Sequence, residues 1–322
     1  MNMLVDINIA YDELTSYLKQ KNIFLEEDEY VENIEIAGEG NMNVVLRVFS
    51  NKNTFILKQS RPFVRKYPNI QAPVERINVE YNFYKHVSKN LFLPKLKGYI
   101  QDDYILILED LGKGEDMTFI YDNRDISKNV IKDFILALSD IHIQNFDKGF
   151  PENKELRKLN HQHIFVLPFL ENNGFSLNKV QDGLEDLAKP FKQNKKLIKK
   201  LKYLGNNYMS KGDTLIHGDY YPGSWLYANE KRFIIDPEFS FIGPKEFDLG
   251  VMAAHLVLTT GNKTAIDYIF EYYPNSFNRD LMSQYCGAEM IRRIIGIAQL
   301  PMKREINEKK KLLHLALKFI LD

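Results

Sequence analysis

The sequence predicts a two-lobed α+β protein, with a small antiparallel β-sheet and one main helix over residues 1–110 and a larger, mainly helical lobe over 111–322. Three observations carry that reading. Short apolar runs separated by turn residues fill residues 31–60 and 99–108. From about residue 125 onward apolar residues recur at helical spacing, as Ile131, Phe134, Ile135, Leu138, Ile141 and His142 do along one face. The change of pattern falls near Glu109–Gly114, with no internal repeat, low-complexity tract or Gly/Ser linker in the chain.

Taken in order, residues 11–30 read as a helix with an acidic end, Glu26-Glu27-Asp28-Glu29. Val31–Ile36 alternates weakly, and Gly38 and Gly40 mark a turn. Val44–Phe49 is a strand, Asn51-Lys52-Asn53 a turn and Thr54–Lys58 a second strand, which together make a hairpin. A helix over 74–90 follows, then strands at Tyr99-Ile100 and Tyr104–Leu108 around Gln101-Asp102-Asp103. Segment 60–73, with Pro62, Pro68 and Pro73, is long and aperiodic, and is a candidate mobile element. Beyond it, helices are expected near 179–189, 193–209, 246–260, 263–272, 278–298 and 303–321. Two strand-like runs, Thr214–Ile216 and Arg232–Ile235, interrupt them.

Composition removes several classes of function. Lys+Arg and Asp+Glu both total 43, so charge balance supports neither a nucleic-acid nor a membrane-surface partner. The basic runs at 195–200 and 309–311 read as solvated helix faces. One cysteine, Cys286, rules out an internal disulfide and fits a reducing compartment; its neighbours offer no thiolate-activating pattern. The first residues lack the basic and apolar regions of a signal peptide, and no apolar run approaches the ~20 residues of a membrane span. The expectation is a cytoplasmic protein; a homodimer, if formed, would use a helical face.

The most informative stretch is Ile216-His217-Gly218-Asp219-Tyr220-Tyr221-Pro222-Gly223-Ser224, followed by Ile235-Asp236-Pro237-Glu238. Phosphoryl transfer from ATP needs one carboxylate to orient the attacking hydroxyl and a few oxygen ligands to hold Mg²⁺ against the phosphates. Asp219, on a loop after a short strand, is the candidate catalytic base. His217 reads as a brace for that loop, because Asp219 already fills the base role. Asp236 and Glu238 alternate on an extended segment and so share a face, which makes them candidate metal ligands, with the Ser224 hydroxyl as a supporting ligand.

Upstream parts appear in matching order. Gly38, Gly40, Asn41 and Asn43 lie in a loop between strands, which by itself reads as a plain hairpin turn or as a place where glycines let backbone N–H groups approach a phosphate. Lys58 ends the next strand and Glu80 sits on the following helix; a Lys58–Glu80 pair would aim the ammonium at the α- and β-phosphates, with Glu75 as the competing partner. Glu109 and Leu111 belong to an extended connector, which reads either as an ordinary interdomain connection or as backbone that pairs with an adenine edge. Arg292-Arg293 is unusual in an apolar helix, since burying an unpaired guanidinium is costly. It reads either as ordinary ion pairs or as a fork for substrate hydroxyls or phosphate charge. Trp225 reads as packing, and His161-Gln162-His163 lacks the further ligands of a metal site.

The whole set resembles the kinase-like phosphotransferases, which include aminoglycoside phosphotransferases, choline kinases and 5-methylthioribose kinases. The last group is the most similar, through Gly38–Asn43, Leu57-Lys58-Gln59, Pro62-Phe63-Val64-Arg65, Glu109-Asp110-Leu111, Ile235–Phe239, Gly243-Pro244, Phe247-Asp248-Leu249-Gly250 and Arg292–Gly296. The resemblance spans about residues 30 to 300. It implies a two-lobed protein-kinase-like fold, ATP with Mg²⁺, and transfer to the anomeric 1-hydroxyl of a sugar. It casts Asp219 as base, Asp236 and Glu238 as metal ligands, and Arg292 and Arg293 as substrate residues. One departure stands out: that family usually has Leu-His-Thr after His-Gly-Asp, whereas this chain has Tyr220-Tyr221-Pro222, expected to reshape the wall nearest the acceptor. The alternatives are a kinase for an aminoglycoside or choline-like amino alcohol, and a nucleotide-binding pseudokinase.

Overall fold

The structure is a computed structural model that describes residues 3–38, 42–64, 67–87, 89–144 and 149–322. Its first helix, Tyr11–Gln20, buries Leu14, Tyr17 and Leu18, spaced to share one face. It is half the length expected. Asn22 takes a left-handed φ of 55°, which ends the helical run. The acidic stretch instead tethers the next hairpin: Glu29 accepts from Ser50 Oγ at 3.0 Å, and Lys52 pairs with Glu26 and Asp28.

The sheet has five antiparallel strands, in the spatial order Val31–Ile36, Asn43–Ser50, Thr54–Ser60, Ile105–Glu109 and Leu96–Ile100. Side chains alternate between its faces. Leu46, Val48, Phe55, Leu57, Ile105 and Ile107 join the first helix in a small apolar cluster. Leu106 and Leu108 face the other way, into the large cluster that runs through the rest of the protein. Lys58 lies opposite Leu106 and Val45 in the sheet register and therefore points to that second face, where helix Arg76–His86 packs. Within segment 60–73, residues Phe63–Val64 and Tyr67–Gln71 form two short antiparallel strands.

Immediately past Asp110-Leu111-Gly112, strand Gly114–Asp116 pairs with Trp225–Ala228 and through it with Lys231–Ile234. Thr214–Ile216 pairs with Phe241–Gly243. Around these two small sheets lie helices Lys128–His142, Leu184–Lys192, Lys195–Met209, Lys245–Thr260, Arg279–Ile295 and Ile306–Leu321. Helix Lys245–Thr260 is buried on nearly every side and is the centre of this half. Gly250 lets helix Arg279–Ile295 come close, because a Cβ there would sit 2.6 Å from the Tyr285 Cβ. A single π-helical turn, Gln162–Val166, has no sequence signal. Among the described residues no helix is long and apolar enough to cross a membrane. Trp225 stacks on Phe134 with ring centroids 4.5 Å apart, and Cys286 is buried.

Candidate active site

Strand Thr214–Ile216 delivers the His217-Gly218-Asp219 loop to the cleft between the two sheets' ends. The loop is held from below by a carboxylate. Buried Asp248 accepts the His217 N–H at 2.6 Å and the Gly218 N–H at 2.9 Å, and His142 Nε2 lies 3.2 Å from it. His217 donates from Nε2 to the Ile235 carbonyl at 3.0 Å, which leaves Nδ1 to accept from the Asp219 N–H at 3.4 Å. Burial lowers its pKa, so the ring is a neutral brace linking the two acidic segments. Gly218 has φ +85°, and a Cβ there would lie 2.2 Å from the Phe239 carbonyl oxygen. No other residue type fits without moving the turn Pro237–Phe239.

Two expectations change here. Ser224 is buried and donates its hydroxyl to the Asp219 carbonyl at 2.9 Å. Its geometry is that of a loop brace, with the hydroxyl hydrogen engaged by the backbone of the candidate catalytic loop. Tyr220 turns away from the cleft into the core, where its hydroxyl donates to the Phe134 carbonyl at 2.7 Å. Of the three unusual residues after Asp219, only Tyr221 borders the acid's surroundings. Its ring centroid lies 4.6 Å from the Arg293 guanidinium and 5.2 Å from the His255 ring centroid.

Asp219 keeps a quarter of its side chain exposed, with Arg293 at 3.6 Å and Arg292 at 3.8 Å. Burial pushes its carboxyl up to about 6, although Arg293 and Arg292 pull the other way. That value suits an acid that must be ionised to accept a hydroxyl proton near neutrality. The two arginines are not left unpaired. Glu289, one turn earlier on helix Arg279–Ile295, meets Arg292 Nε at 2.6 Å and Arg293 Nε at 2.7 Å. His255 Nε2 lies 3.1 Å from the same carboxylate, and the Tyr121 hydroxyl lies 2.6 Å from His255 Nδ1. Burial opposes ionisation of Glu289, but Arg292 and Arg293 outweigh it and hold its pKa well below the usual carboxylate range. Burial lowers His255 to about 4, so it is neutral at pH 7 and donates to Glu289 while accepting from Tyr121.

On the sheet side, Lys58 meets Glu80 at 2.8 Å and Asp236 at 2.6 Å. Glu80, not Glu75, is the partner, because it lies on the buried face of its helix. Burial works against the Lys58 charge, yet Asp236, Glu80 and Glu238 together raise its pKa. Burial pushes Glu80 up to about 7, with Lys58 opposing. Asp236 adopts a left-handed φ of 61° and keeps about half its side chain exposed (47%), so a strained backbone presents this acid to the cleft.

Glu238 is different. It is buried, and its Oε2 accepts from Arg76 Nε at 3.1 Å and from Asn43 Nδ2 at 2.9 Å. Asn43, expected beside the nucleotide, therefore has its amide turned to Glu238 and Arg76 instead. Gly38 has open space where a Cβ would sit, while Gly40 and Asn41 lie outside the described residues. In the connector, Arg47 grips Asp110 at 3.0 Å and the Gly112 carbonyl at 2.6 Å. Glu109 accepts from the Lys95 N–H at 3.1 Å, and Leu111 gives its carbonyl to Asn229 at 3.0 Å.

The residues missed from sequence are Arg76, Glu289, His255, Tyr121 and the role of Asp248. Only Glu289 had a local signal, at three and four residues before the arginines on one helix.

Fold and site together define a kinase of small molecules that uses ATP. The chain belongs to the phosphotransferase enzyme family (APH), whose model matches residues 38–285. It is 27% identical to the methylthioribose kinase of Geobacillus sp. (strain WCH70), over 86% of this chain and 81% of that protein. It is 22% identical to the methylthioribose kinase of Bacillus cereus (strain ATCC 10987), over 94% of this chain and 86% of that one. Among solved structures, spectinomycin phosphotransferase APH(9)-Ia in complex with ADP and spectinomycin superposes with a TM-score of 0.55 at 13% identity, covering 97% of this chain and 99% of that one. A choline/ethanolamine kinase family protein from Mesorhizobium loti does so with a TM-score of 0.54 at 14% identity, covering 96% and 94%. The structural likenesses establish the protein-kinase-like fold.

Proposed function

We propose that the protein transfers the γ-phosphate of ATP to the 1-hydroxyl of 5-methylthioribose or a closely related sugar. The observation that carries this reading is the arginine pair, Arg292 and Arg293, set within 3.8 Å of Asp219 in a chain similar to methylthioribose kinases. Two guanidinium groups beside the acid suit a neutral polyol and the negative charge of a transferring phosphoryl group, and repel a cationic acceptor such as choline or an aminoglycoside. Asp219 orients the acceptor hydroxyl and takes its proton late in transfer. Lys58, fixed by Glu80, reaches the α- and β-phosphates, displacing its contact with Asp236. Tyr221, lying over Arg293, is the specificity wall, so the difference from the Leu-His-Thr pattern acts through this one side chain.

The residues present fit a magnesium ion. Asp236 is half exposed with one oxygen engaged by Lys58, and Glu238 has one oxygen engaged by Arg76 and Asn43. Both are hard oxygen donors. Among the described residues no three His, Cys, Asp or Glu side chains form a ready cage. Mg²⁺ requires none where one or two carboxylates combine with substrate phosphates and water. Asp236 and Glu238 would hold the ion, which when bound neutralises charge on the phosphates. The single cysteine and balanced charge favour a cytoplasmic setting.

The test is ADP release with Mg·ATP and 5-methylthioribose, run beside ribose, choline and an aminoglycoside. Turnover with methylthioribose that is lost in Asp219→Asn is the expected result. Turnover on choline or the aminoglycoside alone would contradict the acceptor while keeping the kinase.

A further inference from the structure

Arg76 is the most heavily engaged cation in the described structure, and nothing in the reaction as derived so far uses it. It is the first residue of helix Arg76–His86 and is 1% exposed. Its Nε donates to Asn43 Oδ1 and Glu238 Oε2, both at 3.1 Å. Its Nη1 donates to the carbonyls of Arg61 and Pro73, both at 2.8 Å. Its Nη2 donates to the Met42 carbonyl and to Asn43 Oδ1, both at 2.8 Å. One rigid fork thus gathers the exit of the glycine loop, the strand following Lys58, the start of its own helix and the acidic segment after Asp236.

The Asn43 amide completes the arrangement. Its oxygen faces the guanidinium and its nitrogen faces the Glu238 carboxylate, so its orientation is set by charge on both sides. Four residues further along the same helix, Glu80 holds Lys58, which holds Asp236. Both carboxylates of Asp236-Pro237-Glu238 are therefore referred to one helix. Asp236 reaches it through a lysine and stays half exposed, whereas Glu238 reaches it directly and is buried. Packing alone does not account for this. A buried guanidinium needs a counter-charge, and here it is a carboxylate 162 residues away on the segment that carries Asp236; a buried carboxylate in turn is stable only where donors meet it.

We propose that Arg76, with Asn43, is the positioning residue for Glu238, fixing that carboxylate in register with the glycine loop so that its other oxygen is offered to the nucleotide-bound Mg²⁺. This rests on the reading of Glu238 as a metal-side carboxylate. Groups that hydrogen-bond a metal's ligands fix their aim, and their removal commonly lowers metal affinity about 10- to 100-fold.

The test is calorimetric binding of ATP, with and without Mg²⁺, to wild type, Arg76→Gln, Glu238→Gln and the double variant, alongside thermal melting. Asn43→Ala serves as a second probe that spares the carbonyl contacts, in case Arg76→Gln does not fold. The expected result is that Arg76→Gln and Asn43→Ala weaken Mg·ATP binding, by up to about 10- to 100-fold for Arg76. Metal-free ATP affinity should be unchanged, and the penalty should vanish once Glu238 is already Gln. Equal losses with and without Mg²⁺, or a penalty that persists in the Glu238→Gln background, would overturn the proposal and leave Arg76 as a fastening of residues 42–76. If Glu238→Gln itself leaves the Mg²⁺ dependence of ATP binding untouched, it is the metal-side reading of Glu238 that fails.

Discussion

The two sides of the cleft use buried ion pairs that leave groups of opposite sign beside the ligand. On the sheet side Lys58 and Arg76 are buried with Glu80 and Glu238, and the acid left half exposed is Asp236. On the helical side Glu289 is buried together with Arg292 and Arg293, whose guanidinium groups reach Asp219. A buried charge survives only with a partner, so each side pairs its own charges and differs in the group it turns to the site. In the proposed reaction, one side offers an acid to a divalent cation and the phosphates. The other offers guanidinium groups to the acceptor hydroxyl as it becomes a phosphate ester. The construction differs as well. The sheet side draws on residues 43, 58, 76, 80, 236 and 238, whereas the helical side's ion pairs come from one helix at positions 289, 292 and 293.

The largest effect that can break this contrast is at the acid between the two sides. Asp219→Asn should lower kcat by about 10²- to 10⁴-fold with little change in ATP binding, and an unchanged kcat would remove the base from the account. Next is Glu289→Ala, which leaves two buried arginines without their shared anion. It should cost about 3–5 kcal/mol in denaturant unfolding and raise the acceptor KM more than the ATP KM. A loss no larger than that of an exposed pair would mean the arginines are held by something else. Gly218→Ala should cost at least about 1–2 kcal/mol through its left-handed φ, with a further loss of rate, because its new Cβ pushes on the Phe239 carbonyl beside Glu238.

Smaller effects sharpen the comparison. Activity should fall as pH drops through about 6, because Asp219 must be ionised to accept a proton and burial has raised it to that value. The limb should steepen to about tenfold per unit, and a limb centred near 4 would mean that the arginines, not burial, dominate its surroundings. Tyr221→Leu should change the ranking of acceptors. Tyr220→Phe should cost only about 1 kcal/mol of stability, with acceptor preference unchanged, because its hydroxyl is spent on Phe134 in the core.

Much of the sheet was legible because alternation is local: the runs 44–49, 54–58 and 104–108 each lie within an observed strand or extend one residue beyond it. The first helix was overread because apolar spacing through residue 18 says nothing of the left-handed turn at Asn22. At the site, Lys58 meets Glu80 and Asp236 while Asp219 meets Arg292 and Arg293; Lys58, Asp236 and Asp219 were marked by their place in a motif and Glu80 by its place on the following helix. Where side chains point was not legible. Ser224, Asn43 and Tyr220 occupy suggestive positions, yet each spends its polar group on a partner that local sequence does not name. Arg76 was invisible because its partners, at 42, 43, 61, 73 and 238, are assembled only by the fold.

The central claim is that Asp219, between a nucleotide side and an arginine side, directs phosphate to a sugar's anomeric oxygen. Phosphorus NMR of the product from Mg·ATP and 5-methylthioribose tests it most directly. The account predicts a new phosphomonoester resonance coupled to the single anomeric proton, appearing with wild type and not with Asp219→Asn. A resonance coupled to a different sugar position, or ADP accumulating with only inorganic phosphate beside it, would contradict it.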